Sequence, residues 1–151
     1  MKFIAHRGLL NGPDIDKENN PAHITESLEK GYDCEIDVWY GNNTWFLGHD
    51  GPEYGIDFEF LKQPGLWIHA KNLDALYVLG ADNTLNYFWH QNDDYTLTSQ
   101  GYIWTYPGKP LSEHSICVMP ENGSLEDYDF SGCGVCSDFI EYLKHKHEGK
   151  K

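Results

Sequence analysis

Four short segments of this 151-residue chain carry side chains able to move protons or hold a cation: His6-Arg7-Gly8, Glu35-Ile36-Asp37, Gly48-His49-Asp50 and His69-Ala70-Lys71. Histidine titrates near neutrality and suits both proton uptake and proton release, whereas carboxylates stay ionised there and hold cations. Glu35 and Asp37 stand two apart in a segment of strand-like alternation. They therefore share one face, with Cys34, Ile36 and Val38 on the other. Two carboxylates on an interior face need a partner or a metal, because desolvating them is expensive. His69 and Lys71 share a face for the same reason of spacing. A lone histidine in an apolar strand is ordinarily a hydrogen-bonded core residue; the pairing with Lys71 brings His69 into the candidate set. His90, at the end of Tyr87-Phe88-Trp89, and Glu18, in the loop after Gly8, are supporting candidates.

These residues have to be positioned by the elements around them. An apolar strand over 2–6 ends in His6, and a loop rich in Gly, Asp and Asn follows to Asn20. Asn20 caps a helix with Pro21 at its first position, Ile24 and Leu28 on one face, and Gly31 just past its end. Asn42-Asn43 turns the chain into Trp45-Phe46-Leu47, a hairpin arm that brings His49 back towards Glu35 and Asp37. A short helix near 57–62 precedes the strand 66–70. Asn72 and Gly80 then bracket another helix. Strands are expected at 2–6, 33–39, 66–70, 85–90, 95–98, 102–106, 115–119 and 133–137, with a final helix over 138–147. Eight strands close a β/α barrel. The expected architecture is a compact (β/α)8 TIM-type barrel with several outer helices shortened or missing, since such barrels ordinarily need about 250 residues. A single domain over 1–147 and a flexible tail at 148–151 complete the expectation. A homodimer would cover the strand surface that the missing helices leave bare.

Composition narrows the partners. A formal charge of −13 repels nucleic acid and anionic lipid, so an anionic substrate has to be captured by local cations. No stretch approaches the length of a membrane span, and the run from Met1 to His6 is too short for a signal-peptide core. No membrane insertion and a cytoplasmic location are expected. Cys34, Cys117, Cys133 and Cys136 read as reduced core thiols, because Cys133-Gly-Val-Cys136 lies in a strand and has no second pair to complete a zinc site. Trp39, Trp67, Trp89, Trp104 and the aromatic run 102–107 are assigned first to packing; the alternatives are stacking of Trp39 and Trp104, near strand ends, on a sugar or glycerol group, and a rim contact by the run.

His6-Arg7-Gly8, Glu18-Asn19, Glu35-Ile36-Asp37 and Gly48-His49-Asp50 occur in an order and spacing that resembles the glycerophosphodiester phosphodiesterase family. The resemblance is dense over 3–50, thinner over 66–72, and returns at Gly134-Val-Cys-Ser-Asp138. It implies a hydrolase of lipid metabolism that cleaves a small phosphodiester carrying a glycerol, sugar or similar alcohol. His6 and His49 would be the general acid/base pair, Arg7 and Lys71 the phosphate cations, and Glu35 and Asp37 ligands of one divalent metal. Where this family offers an acidic ligand two residues before a lysine, the chain has His69. Metal binding is expected to persist with His69 as third ligand. A neutral imidazole shifts preference among Mg, Ca, Mn and Zn towards Mn or Zn. Two rival expectations are a non-catalytic phosphate- or sugar-binding barrel and a phosphodiester lyase similar to sphingomyelinase D.

Overall fold

The computed structural model describes residues 1–149. In chain order its elements are β1 (Lys2–His6), α1 (Pro21–Glu29), β2 (Asp33–Gly41), β3 (Thr44–Leu47), β4 (Tyr54–Ile56), α2 (Phe58–Leu61) and β5 (Leu66–Ala70). They continue with α3 (Leu73–Leu79), β6 (Tyr87–Phe88), β7 (Tyr95–Leu97), β8 (Ile103–Thr105), β9 (Ser115–Val118), β10 (Gly134–Ser137) and α4 (Ile140–Gly149). Every expected strand position carries a strand, although β6 keeps only two residues. Two elements were not expected: β4, and a 3-10 turn over Pro120–Asn122. The last helix includes residues 148 and 149, where a flexible tail was expected; the rest of that tail, 150 and 151, lies outside the described residues.

The architecture corrects the (β/α)8 TIM-barrel expectation. The chain forms a curled, mixed sheet with few and short helices. Strands β6, β5, β2, β1, β10, β9 and β8 lie side by side in that order, each parallel to its neighbour. β7 runs antiparallel to β8, and β3 and β4 extend β2 as an antiparallel meander. The physical reason is connection length. A parallel crossover through a helix needs about a dozen residues or more. The stretches 89–94 and 98–102 cannot hold one, so the chain doubles back through β7 instead.

Local signals explain the elements that did form. Asn20 accepts hydrogen bonds from the Ala22 and His23 amides at the start of α1. Asn42 and Asn43 both have positive φ, as a two-residue hairpin turn requires. Asn72 caps α3 through the Ala75 amide. It also accepts from the Tyr40 amide and donates to the Tyr40 carbonyl, tying the end of β2 to the helix.

Two apolar layers sandwich the sheet. Outside it, Ile24, Ala75, Leu79, Ile140 and Leu143 from the helices pack on Cys34, Ile36, Val38 and Ile68. Inside the curl, Ile4, Trp67, Phe88, Trp104, Ile116 and Cys136 form a second cluster. Trp67 and Trp104, from the non-adjacent strands β5 and β8, meet there with ring centroids 5.8 Å apart. All four cysteines are free, with Cys34 and Cys136 buried in these layers. No helix among the described residues is long and apolar enough to cross a membrane.

The two caps differ in consequence. Asn20→Ala removes only a helix cap, costing about 1 kcal/mol. Asn72→Ala also strands the backbone groups of Tyr40, so its cost should reach about 2 to 3 kcal/mol. Urea unfolding of the two variants should show the larger midpoint shift for Asn72→Ala.

Candidate metal and acid-base site

Because β1, β2, β5, β6, β9 and β10 are mutually parallel, their C-terminal ends share one rim. Side chains of one parity along these strands point into the curl. Ile4, Trp67, Phe88 and Cys136 make its apolar floor; two residues further along lie His6, His69, His90 and Asp138. The pocket above this floor measures about 440 Å³ and is lined by His6, Arg7, Glu35, Asp37, His49, His69, Lys71 and His90 among others. All the sequence-selected residues are thus gathered there except Glu18, which acts from behind: its carboxylate accepts from Arg7 Nη1 at 2.7 Å.

Asp37 is the hub of the site. It is 1% exposed and lies where one edge of β2 passes from pairing with β1 to pairing with β3. Asn19, buried and at positive φ, fills that break. Its Oδ1 accepts from the Asp37 amide at 3.0 Å and its Nδ2 donates to Asp37 Oδ2 at 2.9 Å. Around the same carboxylate stand His69 Nδ1 at 3.2 Å, His49 Nδ1 at 3.4 Å and Arg7 Nε at 3.6 Å. Burial alone would raise the Asp37 pKa, but His49, His69 and Asn19 hold it well below the usual carboxylate range.

Glu35, also buried, accepts from the Arg7 amide at 3.2 Å and lies 3.7 Å from His69 Nδ1. Arg7 takes positive φ, and Asn19 donates its amide to the Arg7 carbonyl, so the first loop is folded back onto the carboxylate pair. His49 depends on a glycine. A Cβ on Gly48 would fall 1.9 Å from the Gly51 carbonyl oxygen, and the Gly48 carbonyl accepts from the Trp39 indole at 2.7 Å.

Each rim histidine in β1 and β5 has one ring nitrogen committed. An ionised carboxylate only accepts, so the 2.7 Å contact with Asp138 Oδ1 places a proton on His6 Nδ1 and leaves Nε2 facing the pocket, 3.9 Å from Glu35. Burial opposes charging of His6, but the bond to Asp138 and the charge of Glu35 together raise its pKa. His69 Nε2 donates to the His90 carbonyl at 2.9 Å, which turns Nδ1 towards Glu35 and Asp37. His90 therefore supports the site through its backbone; its own ring bonds the Asp93 carbonyl.

The residues fit a divalent cation. Glu35, Asp37 and His69 each offer a ligand atom, all within 4.8 Å of one another. Arg7 Nε and His49 Nδ1 are buried beside them without a hydrogen-bond partner, so the polar groups of the site are not mutually satisfied. A ligating histidine ordinarily donates its other nitrogen to a carbonyl or carboxylate, as His69 does.

Three residues escaped the sequence reading. Asp138 lay in a recognised segment without an assigned role, and Asn19 stood beside Glu18 without one. Glu121, in the unexpected 3-10 turn, accepts from the Asp138 amide at 2.9 Å and from the Ser137 hydroxyl at 2.7 Å, anchoring the residue that orients His6. Asp138 and Glu121 are 132 and 16 or more residues from the groups they serve, so no local pattern links them.

Burial would lower the His69 pKa, yet the contacts with Asp37 and Glu35 outweigh it and set the value at about 9, above the ordinary 6.5. The resulting stability is fully present below pH 6.5 and is lost as pH rises through about 9. The unfolding free energy of metal-stripped protein, read from urea titrations, should fall across that window by on the order of 2 kcal/mol. His69→Gln should flatten the fall; an unchanged slope in the variant would show that the ion pair is not its source.

Comparison with family models, with curated proteins and with solved structures found no match for this chain.

Proposed function

We propose that this chain is a metal-dependent phosphodiesterase acting on a small phosphodiester. The observation that carries the proposal is the convergence, in one pocket, of two histidines with separate carboxylate partners, two cations and a three-residue ligand set. Cleaving a phosphodiester requires a base for the attacking hydroxyl, an acid for the leaving alkoxide and positive charge at the non-bridging oxygens. His6, oriented by Asp138, and His49, beside Asp37, meet the two proton requirements. One removes the proton of the nucleophile and the other returns a proton to the departing oxygen. Arg7 and Lys71 supply fixed positive charge, with Arg7 steered by Glu18. A divalent ion held by Glu35, Asp37 and His69 Nδ1 would add neutralising charge at the phosphate, and a site with an imidazole among its ligands favours Mn or Zn over Mg or Ca.

A phosphate- or sugar-binding protein without turnover is the second reading. It is favoured by His69 itself, since the ligand trio carries only two negative charges.

Metal-stripped protein resupplied with Mn or Zn should hydrolyse bis(p-nitrophenyl) phosphate, and His6→Ala or His49→Ala should lose about 100-fold or more in kcat. Asp138→Asn should lose about 10- to 100-fold while still binding metal. Product analysis in heavy-oxygen water should separate direct hydrolysis from attack by a neighbouring substrate hydroxyl. Calorimetric metal binding without turnover on any diester would transfer the assignment to the binding protein. Absence of metal binding, or an affinity unmoved by His69→Ala, would remove the proposed metal site.

A further inference from the structure

The pocket is divided by charge. Its formally charged lining side chains are Glu35 and Asp37 of β2, with Arg7 and Lys71 just past the ends of β1 and β5. The opposite wall, at the ends of β8 and β9, consists of Trp104, Tyr106, Pro107, Val118, Met119 and Asn122 and carries no formal charge. Resting on the phosphodiesterase reading, we propose that this wall is the subsite for one alcohol group of the substrate. The group it takes is a flat, uncharged ring stacked on Tyr106.

The wall is anchored at its base and along its main chain. Trp104 is 4% exposed and wedged against Phe88, with ring centroids 4.7 Å apart, so it backs the subsite without presenting a free face. Tyr106 is 45% exposed and stands at the rim, its amide fixed to the Asp94 carbonyl at 2.7 Å. Met119 is held by its amide to the Cys136 carbonyl at 2.8 Å. Anchoring of the main chain at Tyr106 and Met119 lowers the ordering entropy that binding has to spend there.

The chemistry of the wall selects among alcohol groups. A quaternary ammonium is recognised by several aromatic faces arranged as a cage, whereas on this wall Tyr106 is the exposed aromatic residue, with the His90 ring tilted against it at a centroid distance of 5.8 Å. A polyol needs an array of hydrogen-bonding groups, and around this wall the pocket offers two side-chain amides, those of Asn122 and Gln91. A planar ring needs one open aromatic face and apolar neighbours, which Tyr106, Pro107 and Met119 provide.

Stacking of a ring on an aromatic side chain strengthens binding roughly 5- to 150-fold. Calorimetric titration of Mn-loaded protein with methyl phosphate, glycerol 1-phosphate, phosphocholine and benzyl phosphate tests the subsite without relying on turnover. Benzyl phosphate should bind about 10-fold more tightly than the other three. Tyr106→Ala should remove that advantage and leave methyl phosphate affinity in place, and Tyr106→Phe should retain the advantage. Equal affinities across the panel, a preference for phosphocholine or glycerol 1-phosphate, or an advantage that survives Tyr106→Ala would overturn the subsite while the phosphodiesterase reading stands. Failure of benzyl phosphate to bind would likewise overturn the subsite, whereas the phosphodiesterase reading falls only on its own turnover test.

Discussion

Asp37 is a carboxylate almost wholly removed from water, and a buried charge of this kind costs several kcal/mol unless its surroundings compensate it. Much of the rim can be understood as that compensation. The loop from Arg7 to Asn19 returns to β2 so that Asn19 can bond both the amide and the carboxylate of Asp37. The hairpin beyond β2 returns to the same point and brings His49 with it, and β5 places His69 on the other oxygen. The groups that a catalytic reading needs are therefore the groups that the buried charge needs. This overlap explains why so many of them meet at one residue.

The apolar floor makes the arrangement selective. Trp67, Phe88, Trp104 and Ile116 fill the inside of the curl below the polar layer and exclude water from it. Low polarity beneath the site strengthens each electrostatic contact above it and penalises any polar group left without a partner. Arg7 Nε and His49 Nδ1 are two such groups, both aimed at Asp37. The rest of the shell is closely tied. Glu18 holds Arg7, Asp138 holds His6, Glu121 holds Asp138, and the His90 carbonyl holds His69. A site built in this way has its orientations set before any ligand arrives.

His69 gives the site its individual character. As a protonated ring it offsets one of the two negative charges of Glu35 and Asp37; as a neutral ring with Nε2 on the His90 carbonyl it presents Nδ1 as a ligand atom. Proton and metal therefore compete for one nitrogen. The same carbonyl contact serves both states, so exchanging one for the other requires no rearrangement of β5 or β6.

By itself the sequence determined most local elements and which side chains the candidate pocket gathers. Asn20 with Pro21, Asn42-Asn43 and Asn72 are chemical punctuation that acts within a few residues. The two-residue period of Glu35 and Asp37 follows from strand geometry alone. Eight strand positions were legible for the same reason, as were His6, Arg7, His49 and His69. Tertiary structure decided how those strands connect. Short connections after β6 force β7 to run antiparallel, so a strand count consistent with a (β/α)8 barrel became a curled mixed sheet with sparse helices. It also decided the roles of Asn19, Glu121 and Asp138, because each meets its partner across a distance in sequence that no periodicity spans. Propensity and spacing act locally, whereas the compensation of a buried charge is settled only when distant segments are brought together.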